Sequence, residues 1–520
     1  MEKQHAPLAA LTAIVLATAC CSQVLAQRQA VTPPVSSPTV KATPAAPTSA
    51  VRAYSADRAL ASQTDEAFSS AQVDAFLTAA MAAEASKDPL QRCLQYPDPP
   101  GSHWSHAAVA AYCRYRTQPY LHAAQAQALI ASGHARELDR QLARALRQQQ
   151  TEPDARGLLD HIYLNAFNDG SSHWRTLLDS WKRQSPHSAF AHAASGMAHV
   201  EAAFTARGGK WISETPDRNI REMDRLLALA RADLRQAVRL NPHLTVAWYA
   251  QVEAARMNGG DEQAQAAATG ALHADPYDYA LFADRMVSAQ PKWGGSMQAM
   301  RALAAQAHAG AARNPLLELL VVEPDAYAEG ICGCGGGEPT EQVAYTRVLD
   351  RVAGTETLSA AGHHASDRNQ FAPAIVYLSE ALRFDPDLRD DRMARLYNMS
   401  SHFDSQGRRT AARPMLAAEA DRIMADPPMD SMNLALIGQF YAVDLRDFDR
   451  AWTISAQMIK THPDDFRGWS LRALIQQMGQ RPGLRDTERY ILAHFADDPA
   501  AQGVVRQARQ DLARTPASGH

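Results

Sequence analysis

Cysteine thiols are the side chains of this chain best suited to chemistry, and four of the six cysteines follow the N-terminal segment. Cys93 and Cys113 flank the turn-rich segment 96–101, which contains three prolines and a glycine. An even number of cysteines in an oxidising compartment is typical of disulfides. The spacing therefore predicts a structural bond between Cys93 and Cys113 that holds this loop against the following helix.

Cys332 and Cys334 lie in a glycine-rich segment, and three interpretations of this pair stay open. Two neighbouring thiols can form a redox pair, or they can supply half of a tetrahedral zinc site. The segment lacks a second Cys or His pair to complete such a site. The third interpretation is structural, either a small local disulfide or two loop thiols. We predict no metal.

No arrangement of residues in the sequence matches a catalytic motif. The chain has no Gly-x-Ser-x-Gly, no His-Glu-x-x-His and no phosphate-binding Gly-Lys loop. Its 19 histidines are scattered, and the adjacent pair His363-His364 would point apart on a helix. The prediction is therefore a protein that is not an enzyme and needs no cofactor.

Repeated helical hairpins are the elements predicted to position these side chains. Pro242 and Pro276 lie 34 residues apart, each preceded by small or apolar residues in the same register. Further copies of the pattern end at Pro386 and Pro463. A 34-residue period with this pattern is typical of tetratricopeptide helix pairs. We predict an all-α fold, a right-handed superhelical stack of tetratricopeptide-like hairpins (an α-solenoid).

The concave face of such a stack is the predicted binding groove for a protein or peptide. Residues three or four apart share one helix face. In successive hairpins this face would carry Tyr249, Glu253 and Arg256, then His363, then Tyr397. A polar row with two tyrosines suits an extended peptide. The alternative is a solvated face that binds nothing.

The N-terminus has the features of an export signal. Residues 1–26 join a short polar start with Lys3 to an apolar run and end on small residues suited to cleavage. This predicts a periplasmic or secreted protein. The alternative is an outer-membrane lipoprotein with a lipid anchor at Cys20, since Ala17-Thr18-Ala19-Cys20 partly resembles a lipobox.

Composition divides the rest of the chain into four zones and excludes some partners. Residues 27–65 are predicted to be a disordered Pro/Ala/Ser/Thr-rich linker. An N-terminal helical region (66–145), a helical repeat domain (146–330) and C-terminal tetratricopeptide-like repeats (340–515) follow. The net charge of −4 and the lack of a basic block argue against nucleic acid as a partner. After the signal, no stretch is apolar enough to predict a membrane span.

The block at 146–300 resembles a bacterial family catalogued as domain of unknown function 4034. The residues that carry the resemblance are Trp174-x2-Leu177-Leu178-x2-Trp181, Pro186-x-Ser188-x2-Ala191, Arg207-Gly208-x2-Trp211, Thr215, Met223 and Pro291-x-Trp293-Gly294-Gly295-Ser296-x3-Met300. The resemblance implies an all-helical, repeat-related fold. The family name assigns no activity, so no catalytic residue follows from it.

Two interruptions of the repeat pattern, at 205–220 and 325–340, could carry a function of their own. Arg207, Trp211 and Trp293 form a candidate ligand loop, because loops carry function more often than the helices around them. The leading hypothesis is an exported scaffold that binds a protein or peptide in the bacterial cell envelope. The alternative is an envelope enzyme or small-ligand-binding protein with its site in the 146–300 block.

Overall fold

The described part of the chain is entirely helical. The computed structural model describes residues 67–209, 212–258, 260–331, 343–425 and 429–514, and within these ranges there is no β-strand. The predicted all-α class is therefore confirmed, and helices pack mainly against neighbours in the chain. The superhelical arrangement stays a prediction.

Two compact units divide the described residues. The first unit contains 67–364 and 380–386, and the second contains 365–379 and 387–514. The helices of the first unit are α1 Ser70–Glu84, α2 Pro89–Leu94, α3 His106–Thr117, α4 Ala123–Ala131, α5 Ala135–Thr151, α6 Leu158–Ala166, α7 Ser172–Gln184, α8 Ala189–Arg207, α9 Asp217–Leu240, α10 Thr245–Asn258, α11 Gly260–Ala274, α12 Tyr279–Ser288, α13 Met297–Gly310, α14 Glu323–Ala328 and α15 Tyr345–Val348.

The two helices that follow, α16 Thr355–Asp367 and α17 Phe371–Phe384, each contribute residues to both units. The helices of the second unit are α18 Arg389–Ser405, α19 Arg409–Met424, α20 Ser431–Phe440, α21 Phe448–Thr461, α22 Phe466–Met478, α23 Leu484–His494 and α24 Gln502–Arg514. Short 3₁₀ segments connect some of these helices, and a single π-helical turn, Tyr441–Leu445, follows α20 within the described ranges.

Prolines mark the ends of the repeated hairpins, as their spacing predicted. Pro242 follows the end of α9 and Pro276 follows the end of α11, since proline cannot continue the helical hydrogen-bond ladder. The indole Nε1 of Trp248, six residues beyond Pro242, donates to the Pro242 carbonyl over 2.9 Å. Trp469 makes the same bond to the Pro463 carbonyl, at 3.3 Å. Each tryptophan therefore covers the turn before its own helix.

Small residues allow α8 and α9 to pack closely. Gly196 lies on the face of α8 that meets α9, and a Cβ there would come 2.5 Å from the side chain of Leu234. Ala194 and Ala198 are also fully buried on α8. Alanine and glycine at these positions let the two backbones approach within an apolar core of the first unit.

The predicted disulfide joins α2 to α3. The sulfur atoms of Cys93 and Cys113 lie 2.08 Å apart, which confirms the pairing. Arg383, 2% exposed, donates from Nε to the Cys93 carbonyl at 2.9 Å and from Nη1 to Asp98 at 2.8 Å. Residues 380–386 therefore fasten the disulfide loop within the first unit.

Candidate functional site

The three predicted groove residues on α10 lie in a buried ion network instead of on an open face. The side chain of Arg256 is 6% exposed, and it pairs with Asp284 of α12 and, at 3.3 Å, with Glu253. The Tyr249 hydroxyl donates to Glu253 at 3.3 Å. Burial lowers the pKa of Arg256, but Asp284 and Glu253 raise it by more, so the guanidinium stays charged. These contacts join α10 to α12 and leave little of the group free for a peptide.

Arg256 also connects this network to Trp293, which the sequence assigned to a separate ligand loop. Its guanidinium carbon lies 5.4 Å from the centre of the Trp293 ring and 6.0 Å from that of Phe204. The Nε1 atom of Trp293 is buried and has no hydrogen-bond partner within the described ranges. A cation packed on an aromatic face explains the position of this tryptophan without a ligand.

The other residues predicted for the groove and the ligand loop do not belong to the Arg256 network. Arg207 is 7% exposed at the end of α8 and donates to the Gly208 carbonyl at 3.2 Å. His363 is half-buried on α16. Tyr397 belongs to the second unit, where its hydroxyl donates to the Leu436 carbonyl at 2.8 Å. Trp211 lies outside the described residues, as do Cys20, Cys332 and Cys334 and the predicted signal and linker.

A polar cluster that the sequence did not single out centres on Asp233 of α9. Its carboxylate accepts hydrogen bonds from His192 Nδ1 at 2.7 Å, Ser195 Oγ at 2.7 Å and Lys182 Nζ at 2.9 Å. Burial alone would raise the pKa of Asp233, but these three bonds lower it to about 2. Because an ionised carboxylate only accepts, His192 carries a proton on Nδ1. One carboxylate thus fixes side chains from α7 and α8.

This cluster borders an open surface cavity of about 580 Å³. The cavity is lined by Asp179, Lys182, Arg183, Pro186 and His192. Asp179 offsets part of the positive charge through an ion pair with Lys182 at 3.1 Å. Arg183 is exposed and makes no ion pair with any described residue. The cavity therefore presents the exposed guanidinium of Arg183 to solvent beside the paired ammonium group of Lys182.

The cavity lies at the same turn of the hairpin that a tryptophan covers in two other hairpins. His192 follows Pro186 by six residues, just as Trp248 follows Pro242 and Trp469 follows Pro463. An imidazole is smaller than an indole, and here its Nδ1 is turned to Asp233 instead of to the proline carbonyl. The Pro-x5-Trp spacing, with histidine in one copy, is the signal in the sequence that could have identified this site.

Within the described ranges, no group of three or more His, Cys, Asp or Glu side chains is arranged to hold a metal ion. None of the helices described is both long and apolar enough to cross a bilayer.

Comparison with family models found no match to this chain, and comparison with curated proteins found none either. The resemblance of the 146–300 block to a family of unknown function therefore stays a prediction from its motifs.

Proposed function

We propose that this protein is a helical-repeat scaffold that binds a protein or peptide partner in the bacterial cell envelope, through an acidic group placed in the cavity at Lys182, Arg183 and His192. The observation that carries the proposal is the uncovered turn between α7 and α8, where these two helices hold cationic and polar side chains around an open space. A carboxylate is the ligand that Lys and Arg side chains recognise best in a peptide.

The order of the side chains in the cavity favours binding over a merely solvated surface. Lys182 is 21% exposed, and its ammonium group is held by both Asp233 and Ser195 at 2.9 Å. Groups fixed before binding lose little conformational entropy when a ligand arrives. The exposed Arg183 adds a second cation that can reorient around a carboxylate.

Export and the repeat stack complete the proposal. The Cys93–Cys113 bond is compatible with an oxidising compartment, in agreement with the predicted signal at 1–26. A superhelical stack of hairpins would display its turns in a row along one edge, which is a common way for repeat proteins to contact an extended partner.

The experiment compares partner capture by wild type and by two cavity variants after cross-linking in envelope extracts. Arg183→Glu reverses a lining charge, and His192→Trp places an indole where two other hairpins have one, Trp248 and Trp469. Arg301→Glu makes the same charge change at an exposed position of α13 and is the matched control. We expect the same cross-linked partner with wild type and control, and its loss with both cavity variants. Equal capture by all four proteins, with equal thermal midpoints, would overturn the proposal.

A synthetic acidic peptide provides a direct test of the ligand chemistry. Fluorescence anisotropy with a labelled peptide from the captured partner, and with its Asp/Glu-to-Asn/Gln analogue, measures what the carboxylates contribute. We expect the acidic peptide to bind at least about tenfold more tightly to wild type, a difference typical of one charge-assisted contact. Equal affinities for the two peptides would rule out recognition of an acidic group.

A further inference from the structure

Two buried carboxyl groups meet inside the first unit, away from the cavity and from the Arg256 network. Asp160, in the first turn of α6, and Asp278, the N-cap residue of α12, are both 3% exposed. They are hydrogen-bonded to each other through their side chains. Carboxylates of like charge repel strongly when buried together, so such a pair commonly retains a proton.

The partners of the pair are neutral. Gln149 of α5 donates from Nε2 to Asp160 at 2.9 Å and lies 3.3 Å from Asp278. The Thr245 hydroxyl, at the start of α10, donates to Asp160 at 3.1 Å. Among the described residues, no lysine or arginine forms an ion pair with either carboxyl group. A proton shared by the two carboxyl groups thus removes their repulsion and lets these four helices pack around them.

We propose that Asp160 and Asp278 hold one proton between them in the folded protein, and that its loss at alkaline pH loosens the packing of α5, α6, α10 and α12. This makes the first unit sensitive to pH in a way that is independent of partner binding at the cavity. The two acids are too buried to meet a substrate, so the pair acts on conformation and not as a catalytic dyad.

Burial and electrostatics support the same assignment. Burial, followed by the charge of Asp278, raises the pKa of Asp160 well above its ordinary value. Burial raises the pKa of Asp278 to about 6, although bonds from the Leu281 N–H, Asp160 and Thr245 act in the opposite direction. Near neutral pH one carboxyl is then ionised and the other protonated, which lets the protonated group donate to the ionised one.

Other titratable groups lie near the pair, and a measurement of pH dependence must separate their titration from that of Asp160 and Asp278. Burial, then the nearby charges of Arg116 and His122, lowers the pKa of His161 to about 4, so His161 acts in the acidic range. Asp275 before α12 and Tyr115 on α3 interact electrostatically with the pair. The Tyr115 ring in turn contacts the rings of His161 on α6 and Tyr279 on α12. Arg116 on α3, paired to Asp385, acts on Tyr115 and His161.

The pH dependence has a definite sign. A carboxyl group with a raised pKa stabilises the folded state below its unfolded value of 3.8, and this contribution is lost as pH rises through the folded value. For Asp278 the loss therefore begins near pH 4 and continues through about 6, and Asp160 extends it to higher pH. His161 acts in the opposite direction between about pH 4 and 6.5, so only a difference between variants isolates the pair.

The test compares the thermal midpoint of the full chain, disulfide intact, from pH 4.5 to 8.5 in wild type, Asp160→Asn and Asp88→Asn. Asp88 is an exposed N-cap carboxylate on α2, bonded to Gln91 N at 3.0 Å, and serves as the matched control. We expect the midpoint of Asp160→Asn, relative to wild type, to rise by about 4–6 °C across this range. The change of this midpoint difference with pH is the informative quantity. Any hydrogen bond that the amide of the Asp160→Asn variant fails to make is lost equally at every pH and shifts the whole curve without changing its slope.

A second measurement counts protons and again compares wild type with Asp160→Asn. Denaturation in weakly buffered solution at pH 7.5 should release about one proton more per chain from wild type, since both aspartates ionise fully once exposed. The comparison is needed because burial raises the pKa of Glu380 to about 8, so this residue releases a proton on unfolding of either protein. Calorimetry in buffers of different ionisation enthalpy counts the protons. Parallel midpoint curves for wild type and Asp160→Asn, or equal proton release by the two proteins, would overturn the proposal.

Discussion

Replacing Arg256 by methionine tests whether the α10–α12 network is a structural core or a binding surface. Methionine keeps most of the side-chain volume and removes the charge. Asp284, 3% exposed, and Glu253, 14% exposed, would both lose their ion pair with Arg256. Removing one partner of a buried ion pair typically costs about 3–5 kcal/mol. The lost contact with Trp293 adds about 0.5–1 kcal/mol.

The expected loss of about 4–6 kcal/mol should appear as a thermal midpoint lowered by roughly 8–12 °C, at about 2 °C per kcal/mol for a chain of this size. Circular dichroism gives the midpoint, and Trp293 fluorescence reports the network itself. Arg225→Met is the matched control, because Arg225 pairs with Glu222 at 2.7 Å on the exposed face of α9. Solvent screens that pair, so its midpoint should stay close to wild type.

A double variant decides the mechanism. If Arg256 acts by neutralising Asp284, then Asp284→Asn added to Arg256→Met should restore about 1–3 kcal/mol, the usual coupling between residues in contact. A midpoint for Arg256→Met no lower than that of Arg225→Met would refute this reasoning. So would a double variant less stable than the single one. Intact stability combined with lost partner capture would instead restore α10 as a binding face.

Three further outcomes follow from the packing and the charges. Gly196→Ala should lower the free energy of unfolding by about 1–3 kcal/mol, measured by urea titration, because the new methyl group meets Leu234. Intact-mass measurement should show a gain of about 2 Da on reduction of the Cys93–Cys113 bond, and Cys93→Ser should cost about 3 kcal/mol by the loop-entropy relation. Because the pKa of Asp233 is depressed in the folded state, its carboxylate stabilises the wild-type fold, and this contribution is lost as pH falls from 3.8 to about 2. Asp233→Asn should lack this pH-dependent contribution, which thermal midpoints measured at about pH 2–5 would show.

Features set by short stretches of sequence were predictable. Pro242 and Pro276 end helices because proline lacks an N–H, and this holds whatever packs around them. Ser296 caps α13 by accepting from Ala299 N at 3.1 Å, and Gly294 adopts φ of +87° before it. The Cys93–Cys113 disulfide was predictable because the short, proline-rich loop between the two cysteines restricts the conformations of the chain. Each of these outcomes depends on a few neighbouring residues.

The site was less predictable, because burial depends on partners distant in sequence. Tyr249, Glu253 and Arg256 share one face of α10, as their spacing indicated, but spacing does not show what covers that face. Asp284 lies 28 residues beyond Arg256 and appeared as an ordinary helix residue. The same holds for Asp160 and Asp278, which are 118 residues apart and gain their shared environment only when α6 and α12 pack around α10.

The turns at Pro186, Pro242 and Pro463 are equivalent in position, but different side chains lie beside them. At Pro242 and Pro463 a tryptophan six residues later bonds to the proline carbonyl and covers the turn. At Pro186 the corresponding His192 turns to Asp233, and an open cavity with two cations remains beside it. We therefore expect the missing indole to be what leaves the cavity at Pro186 open. His192→Trp tests this directly, because it should close the cavity while leaving the hairpin stable.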